Sequence, residues 1–331
     1  MSHQAYRLKL AAIDALRFTA ESDARATQEQ LRNALKDRNN HVVARAASVC
    51  RELQLVELIP DLRQAFDRFF ADAVRSDPQC LAKSELASTL RDLGHHDAAA
   101  YVRGITHVQL EPTWGGRADS AAALRGTCAL ALSECPIDDF EILTYLVDAL
   151  ADADRGVRVD AVRAIEQLNR PEGALVLRLK LLLGDAESIV MGQCFQSMLS
   201  LAPETGVSFI GHFLKSDNPD VQLEAASALA ESRDARAISL LREFWNEPQV
   251  RADIRQALLV SLGASPRPES IDFLLEVVRR EAFGMAITAV TAISNSRFHL
   301  EARQRLEGVL AERDSYELHS LFSQLFDADS A

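Results

Sequence analysis

One pattern of apolar residues recurs along the chain, at offsets of seven, eleven and fifteen positions from a starting residue. The starting residue ends one helix, and the next three share a face of the following helix, because helical neighbours recur every three to four residues. The pattern therefore predicts a chain of helical hairpins. Four copies are clear: Leu35 with Val42, Ala46 and Cys50; Leu150 with Val157, Ala161 and Ile165; Leu183 with Val190, Cys194 and Met198; Leu214 with Val221, Ala225 and Leu229.

About eight such units fit the sequence, although the register becomes less distinct towards both ends. Their predicted starts are Leu35, Arg75, Arg117, Leu150, Leu183, Leu214, Glu243 and Val278. The second helices of the less regular units are expected to bury Ala82, Leu86 and Leu90; Leu124, Cys128 and Leu132; Val250, Ile254 and Leu258; Met285, Ala289 and Ile293. Shifted registers fit the last two units nearly as well. In the clear copies a turn aspartate is expected to cap the second helix, and these residues are Asp37, Asp152, Asp185 and Asp217.

The predicted fold class is all-α, a right-handed α-solenoid (α-α superhelix) of about eight helical hairpins with no strands. Stacked hairpins bury their apolar faces on their neighbours, so the 331 residues are expected to form a single domain. Its parts are an N-terminal cap helix in 1–26, repeats in 27–310, and a C-terminal cap helix and tail in 311–331. The final apolar face, in 316–326, caps the array or, alternatively, holds a partner or a second copy.

Charge and cysteine usage restrict the partners and the compartment. The chain has 36 Lys and Arg against 48 Asp and Glu, a formal charge of −12, which disfavours nucleic-acid binding. No apolar run resembles a signal peptide or a membrane span, so we expect no membrane insertion. The five cysteines lack paired spacing and are interpreted as reduced core thiols of a cytoplasmic protein. No motif indicates a metal, a cofactor or catalytic residues.

The turn aspartates and the start of the second helix resemble HEAT repeats, specifically the short-unit bacterial kind. The residues that carry the resemblance are Val157-Arg158-Val159-Asp160-Ala161 and the near-match over 221–225. The resemblance covers roughly 28–310 and is specific for the fold, while members of the family serve as adaptors, assembly factors, bilin lyase subunits and, rarely, DNA-repair enzymes. In such arrays a turn aspartate and a helix arginine bridge neighbouring units. The resemblance therefore implies a structural ladder that includes Asp152, Asp217, Arg158 and Arg45.

One segment, 106–118, interrupts the repeat pattern and is interpreted as an inserted loop. It places Trp114 beside two glycines, and a large ring with an indole donor is costly to leave in water. Insertions in repeat arrays map to one edge, which is often the binding side. The segment is therefore a candidate binding loop, with His107, Glu111, Trp114 and Arg117 as contacts. The alternative is that Trp114 folds back over an adjoining helix and the glycines only make the turn.

The leading functional hypothesis is a non-enzymatic scaffold or adaptor that binds a protein or peptide partner. The expected contacts are the 106–118 loop and a concave face of second helices, which carries Arg45, Arg158 and Arg163. The resemblance leaves open an enzyme or enzyme subunit, similar to a bilin lyase or, less so, to a DNA glycosylase. A glycosylase would need a basic concave stripe, which the acidic balance disfavours. We expect a monomer or a weak homo-oligomer.

Overall fold

The computed structural model describes residues 3–19, 23–313 and 315–326. The acidic tail that begins at Asp327 lies outside them. The helices up to the middle of the chain are α1 (His3–Thr19), α2 (Ala24–Leu35), α3 (Asn40–Glu52), α4 (Ile59–Arg68), α5 (Ala73–Ser76), α6 (Leu81–Asp92), α7 (Ala98–Ile105), α8 (Ala122–Leu132), α9 (Asp139–Ala149) and α10 (Arg155–Leu168). They are followed by α11 (Pro171–Leu183), α12 (Ser188–Leu201), α13 (Pro203–Gly211), α14 (Pro219–Glu231), α15 (Ala235–Trp245), α16 (Ala252–Gly263), α17 (Glu269–Arg280), α18 (Phe283–Ser294), α19 (His299–Ala311) and α20 (Tyr316–Phe326). Short 3₁₀ turns cover Val56–Leu58, Pro78–Cys80 and His212–Lys215.

The chain consists of two compact units, residues 1–173 and residues 174–331. In the first unit α3 packs on α6, α6 on α8 and α8 on α10. In the second unit α12 packs on α14, α14 on α16 and α16 on α18. Each unit therefore has the predicted all-α solenoid arrangement, in which the second helices of successive hairpins form a continuous layer. None of the described helices is long and apolar enough to cross a membrane.

The predicted core positions of the second helices are confirmed, because the repeat offsets place them on the buried face. The chain buries Val42, Ala46 and Cys50 in α3; Ala82, Leu86 and Leu90 in α6; Leu124, Cys128 and Leu132 in α8; Val157, Ala161 and Ile165 in α10; Val190, Cys194 and Met198 in α12; Val221, Ala225 and Leu229 in α14. In the last predicted unit Ala289 and Ile293 are buried as predicted, whereas Met285 is only half-buried and its neighbour Ala286 is buried.

The turn aspartates have a different role from the predicted one. Asp37 and Asp152 accept hydrogen bonds from backbone amides two residues later, at 2.9 and 2.8 Å. The helices are capped instead by Asn39, which accepts from the Val42 amide, and by Asp154, which accepts from two amides of α10. The helix begins three residues after the turn aspartate, so that carboxylate shapes the turn. The prediction is also wrong for α14, because Asn218 caps it.

The expectation of no strands is wrong at the inserted segment. Strands β1 (Leu110–Thr113) and β2 (Gly116–Asp119) form an antiparallel hairpin in which Leu110 faces Asp119 and Thr113 faces Gly116. The connection is a two-residue turn, Trp114-Gly115, and Gly115 has φ +89°, a conformation that costs a side-chain-bearing residue more than glycine. The pair of glycines that suggested a loop therefore closes a hairpin.

At the C-terminal end, α20 covers α18. Leu318, Phe322 and Phe326 are buried, and the two phenylalanine rings stack with centroids 4.9 Å apart. Tyr316 remains exposed. The aromatic face of α20 is thus already covered within the chain, which leaves it unavailable as the self-association surface considered from the sequence.

Candidate functional site

The hairpin of the first unit lies between α7 and α8, and one of its two faces is fixed to the body of that unit. Side chains alternate between the faces of a strand, which puts Glu111 on the side of Gln79. Oε1 of Glu111 accepts from the Gln79 amide at 2.6 Å, from Gln109 Nε2 at 2.7 Å and from Ser120 Oγ at 2.6 Å. Burial alone would raise the pKa of Glu111, but these hydrogen bonds outweigh it and lower the pKa. Glu111 thus anchors the hairpin.

Beneath this face is a fully buried ion pair that the sequence analysis did not identify. Lys83 Nζ lies 3.0 Å from Asp77 Oδ2, and neither side chain is exposed. The carboxylate of Asp77 also accepts from Asn40 Nδ2 and from the amides of Ala82 and Lys83, so it caps α6. Gln109 Nε2 donates to the Asp77 carbonyl at 2.8 Å. Asp77 follows the unit start Arg75 by two residues, as Asp37 follows Leu35, so the repeat register contained the signal for it.

Arg125 ties the same base of the hairpin, at the end of β2, to the next turn of the solenoid. Its guanidinium binds both carboxylate oxygens of Asp152, at 2.7 and 3.0 Å, and donates to Asp119 Oδ2 at 2.5 Å. It also donates to the His107 carbonyl at 3.0 Å. Arg125 occupies the position that Arg158 occupies in the following hairpin. The ladder that the HEAT resemblance implies therefore includes Arg125–Asp152, and the predicted residue Asp152 is one of its members.

His107 is a structural residue in this arrangement. Its ring packs edge-on against Phe70, with centroids 4.9 Å apart, and its Nε2 lies 3.3 Å from Gln109 Oε1. The pKa of His107 is lowered, chiefly because burial disfavours the charged imidazolium. The hydrogen bond with Gln109 raises the pKa, but by less. The side chain is half-buried, so it supports the base of the hairpin more than it presents a contact surface.

Trp114 projects from the hairpin tip into solvent. Its exposed fraction is 104%, so the alternative in which it folds back over a helix is wrong. A Cβ added at Gly115 or Gly116 would meet no atom within 4 Å, so there is open space beside both glycines of the tip. Arg117, three residues along, is also exposed. The structure therefore brings Trp114 and Arg117 together on the free end, and Glu111 and His107 together at the fixed end.

A groove of about 410 Å³ separates the free face of the hairpin from the end of α9. Val108 and Leu110, 59% and 46% exposed, form its apolar wall. Three aspartates and one arginine are the charged residues of its lining, so the groove is acidic. The residues that line it are Ile105, Thr106, Val108, Leu110, Asp119, Arg125, Tyr145, Asp148, Ala149, Asp152 and Ala153.

The three arginines predicted on the second helices make contacts within the chain. Arg45 pairs with Asp14 of α1, and Arg158 donates to the carbonyls of Asp152 and Ala153 at 2.8 and 3.1 Å. Arg163 lies 3.5 Å from Asp160 and its side chain is about half exposed. Arg163 is thus the most accessible of the three. The contacts named here are all with residues outside the β-hairpin.

Carboxylates on the second helices pack over glycines of the preceding second helix. A Cβ at Gly126 would lie 2.3 Å from Asp160 Oδ2, and one at Gly192 would lie 2.1 Å from Glu224 Oε2. Burial against the neighbouring helix raises the pKa of both Asp160 and Glu224. A side chain at either glycine would force the neighbouring carboxylate to move.

Thiol and metal chemistry are not apparent in the described part of the chain. All five cysteines are buried and unpaired by disulfides. Burial raises the pKa of Cys50 to about 12 and that of Cys80 to about 11, so both stay protonated at neutral pH. Among the described residues, no group of three or more His, Cys, Asp or Glu side chains is arranged to hold a metal ion.

One family model and several solved structures are similar to this chain. Residues 175–259 match the family model described as HEAT repeats. No curated protein matches the chain. Among solved structures, an engineered protein is similar at 16% identity and a TM-score of 0.37, covering 100% of this chain and 97% of its own. The complex of CpcE and CpcF of phycocyanin lyase from Nostoc sp. PCC7120 is similar at 16% identity and a TM-score of 0.38. The match covers 72% of this chain and 91% of the chain in that structure. Human deoxyhypusine hydroxylase is similar at 17% identity and a TM-score of 0.30. The match covers 79% of this chain and 98% of the hydroxylase chain.

Proposed function

We propose that this HEAT-repeat chain is a non-enzymatic scaffold that binds a segment of a partner protein at the β-hairpin of its first unit. The observation that carries the proposal is the fully exposed indole of Trp114 at the tip of an anchored hairpin. The indole contributes nothing to the core, while tryptophan is among the residues that dominate binding energy at protein interfaces. Because the hairpin is already held by Glu111 and Arg125, binding would require little ordering of the scaffold.

The groove beside the hairpin supports a particular chemistry for that segment. Val108 and Leu110 offer an apolar wall, and Asp148 with the Arg125-bound carboxylates supplies a negative rim. An apolar side chain flanked by lysine or arginine complements both features, while a phosphate backbone would be repelled. We accordingly place the partner among proteins and peptides, and the protein itself in the cytoplasm, where its five thiols stay reduced.

The test is affinity capture from native lysate with three immobilised forms of the full chain. These are the wild type, Trp114→Ala, and the matched control Phe140→Ala, which removes an aromatic side chain 78% exposed on α9. Circular dichroism first verifies equal helicity. A stoichiometric protein retained by the wild type and the control but lost from Trp114→Ala supports the proposal. A protein retained equally by all three forms, or none at all, contradicts it.

A further inference from the structure

A second surface lies on the part of α11 that belongs to the second unit, and it has no role in the proposed function. Four leucines of this helix are strongly exposed: Leu175 by 69%, Leu179 by 58%, Leu182 by 64% and Leu183 by 77%. At 3.6 residues per turn they lie within an arc of roughly 100°. The opposite side of the same helix buries its own apolar residues, Ala174, Leu177 and Leu181. We call the four exposed side chains the leucine surface.

The leucine surface is unusual within its own unit. In α13, α15 and α17 no exposed position carries leucine, isoleucine, valine or an aromatic ring. The exposed residues there are Pro203, Glu204, Thr205, Ser208, Ala235, Arg236, Ser239, Glu243, Asp272, Arg279 and Arg280. The largest apolar patch on a typical single protein is about 300–600 Å² and often serves an interface. The sequence of α11 therefore carries a second apolar face that its own unit does not cover.

Spacing and charge indicate what covers it. Leu175, Leu179 and Leu182 are separated by four and then three residues, the spacing of a helix–helix seam. The two cations of α11 are engaged inside the unit: Arg178 lies 3.8 Å over the Phe209 ring, and Lys180 pairs with Asp185 at 2.8 Å. The four leucines carry no charge, and the one exposed charged residue of α11 is Glu172, one turn before Leu175.

We propose that the leucine surface joins two copies of this chain through α11 helices packed antiparallel across a two-fold axis. Leu179 then lies on the axis, and Leu175 of one copy faces Leu182 of the second copy. In a two-fold contact each copy uses the same surface, so that surface must be complementary to itself. A row of uncharged leucines meets this requirement. A chain of charge −12 repels its copies at most other surfaces, which favours contact at an uncharged one.

The area sets the strength of this dimer. Four leucines with these exposures present roughly 500 Å² per copy, within the range of the largest patches on single proteins. Two copies would bury about 1,000 Å², the lower bound for a specific interface. An interface at this lower bound is expected to be weak, which places the useful concentration range for a test in the micromolar region.

Sedimentation velocity over low to high micromolar concentrations tests the proposal. The wild type is expected to shift from monomer to dimer, while Leu179→Asp, which brings two carboxylates together on the axis, stays monomeric throughout. The matched control is Leu300→Asp, at a leucine of α19 that is 76% exposed, and it should dimerise as the wild type does. A monomeric wild type, or a Leu179→Asp variant that dimerises normally, overturns the proposal.

Cross-linking gives an independent readout that does not depend on a destabilising charge. All five native cysteines are buried, so the background of intermolecular disulfides is low. Under mild oxidation Leu179→Cys is expected to form a covalent dimer, because the two-fold axis places the residue beside its own copy. Leu300→Cys should remain largely monomeric. Equal cross-linking of the two variants refutes the predicted geometry.

Discussion

The buried pair Lys83–Asp77 makes a quantitative prediction about the base of the hairpin. Lys83→Met removes the ammonium and leaves the Asp77 carboxylate fully buried with three donors, Asn40 Nδ2 and the amides of Ala82 and Lys83. Breaking a buried ion pair costs about 3–5 kcal/mol. Because those donors still stabilise the carboxylate, we expect the lower end, about 3 kcal/mol. For a unit of this size that is a fall in Tm of roughly 6–12 °C.

Differential scanning calorimetry measures this loss, and a surface ion pair supplies the control. Lys9 lies 2.7 Å from Asp37, but its side chain is 48% exposed. Lys9→Met should therefore cost less than about 1 kcal/mol, as exposed pairs do. The double variant Lys83→Met, Asp77→Asn removes both charges and should recover part of the loss. A Lys83→Met protein that unfolds within a degree of the Lys9→Met protein refutes the reasoning.

Three further perturbations test other parts of the structure. Gly126→Ala should lower Tm, because the added Cβ would collide with the Asp160 carboxylate. Gly284→Ala is the control, since nothing lies within 4 Å of its added Cβ, and it should not lower Tm. Equal Tm values of the two variants in thermal melts would argue against the close approach of Asp160 to Gly126. Burial raises the pKa of Glu224 above its unfolded value, so ionisation opposes folding as pH rises from about 4.3 through the folded pKa. Glu224→Gln should then raise Tm at neutral pH, with the difference vanishing below pH ~4, and a constant difference across a pH series of melts would count against this. Trp114→Ala should change the free energy of unfolding by less than about 0.5 kcal/mol in urea titrations, since the ring contacts no core residue; a larger loss would show a structural role.

The sequence predicted the solenoid well because its signal is local and repeated. Val157, Ala161 and Ile165 are buried for the same reason as Val42, Ala46 and Cys50, namely an apolar stripe at helical spacing. The prediction that the turn aspartate caps the second helix was wrong. Asp152 accepts from a turn amide, and Asp154, two residues later, caps α10, so a small error in the helix start changed the assignment.

The candidate site was only partly predictable. All four candidates were identified because their segment interrupts the repeat pattern. Trp114 and Arg117 are exposed, whereas Glu111 and His107 hold the hairpin base. Strand pairing determines which side of the hairpin each residue takes, and four-residue strands give too little alternation to reveal it. Arg125 was missed because its partners come from separate parts of the chain.

The most direct test of the proposed function is the affinity of the captured partner for the full chain, measured by isothermal titration calorimetry. Wild type, Trp114→Ala and the Phe140→Ala control are compared under identical conditions. A central tryptophan contact is worth about 2 kcal/mol or more, so the account predicts a Kd at least about 30-fold weaker for Trp114→Ala and unchanged for Phe140→Ala. Equal affinity of Trp114→Ala and wild type would contradict it.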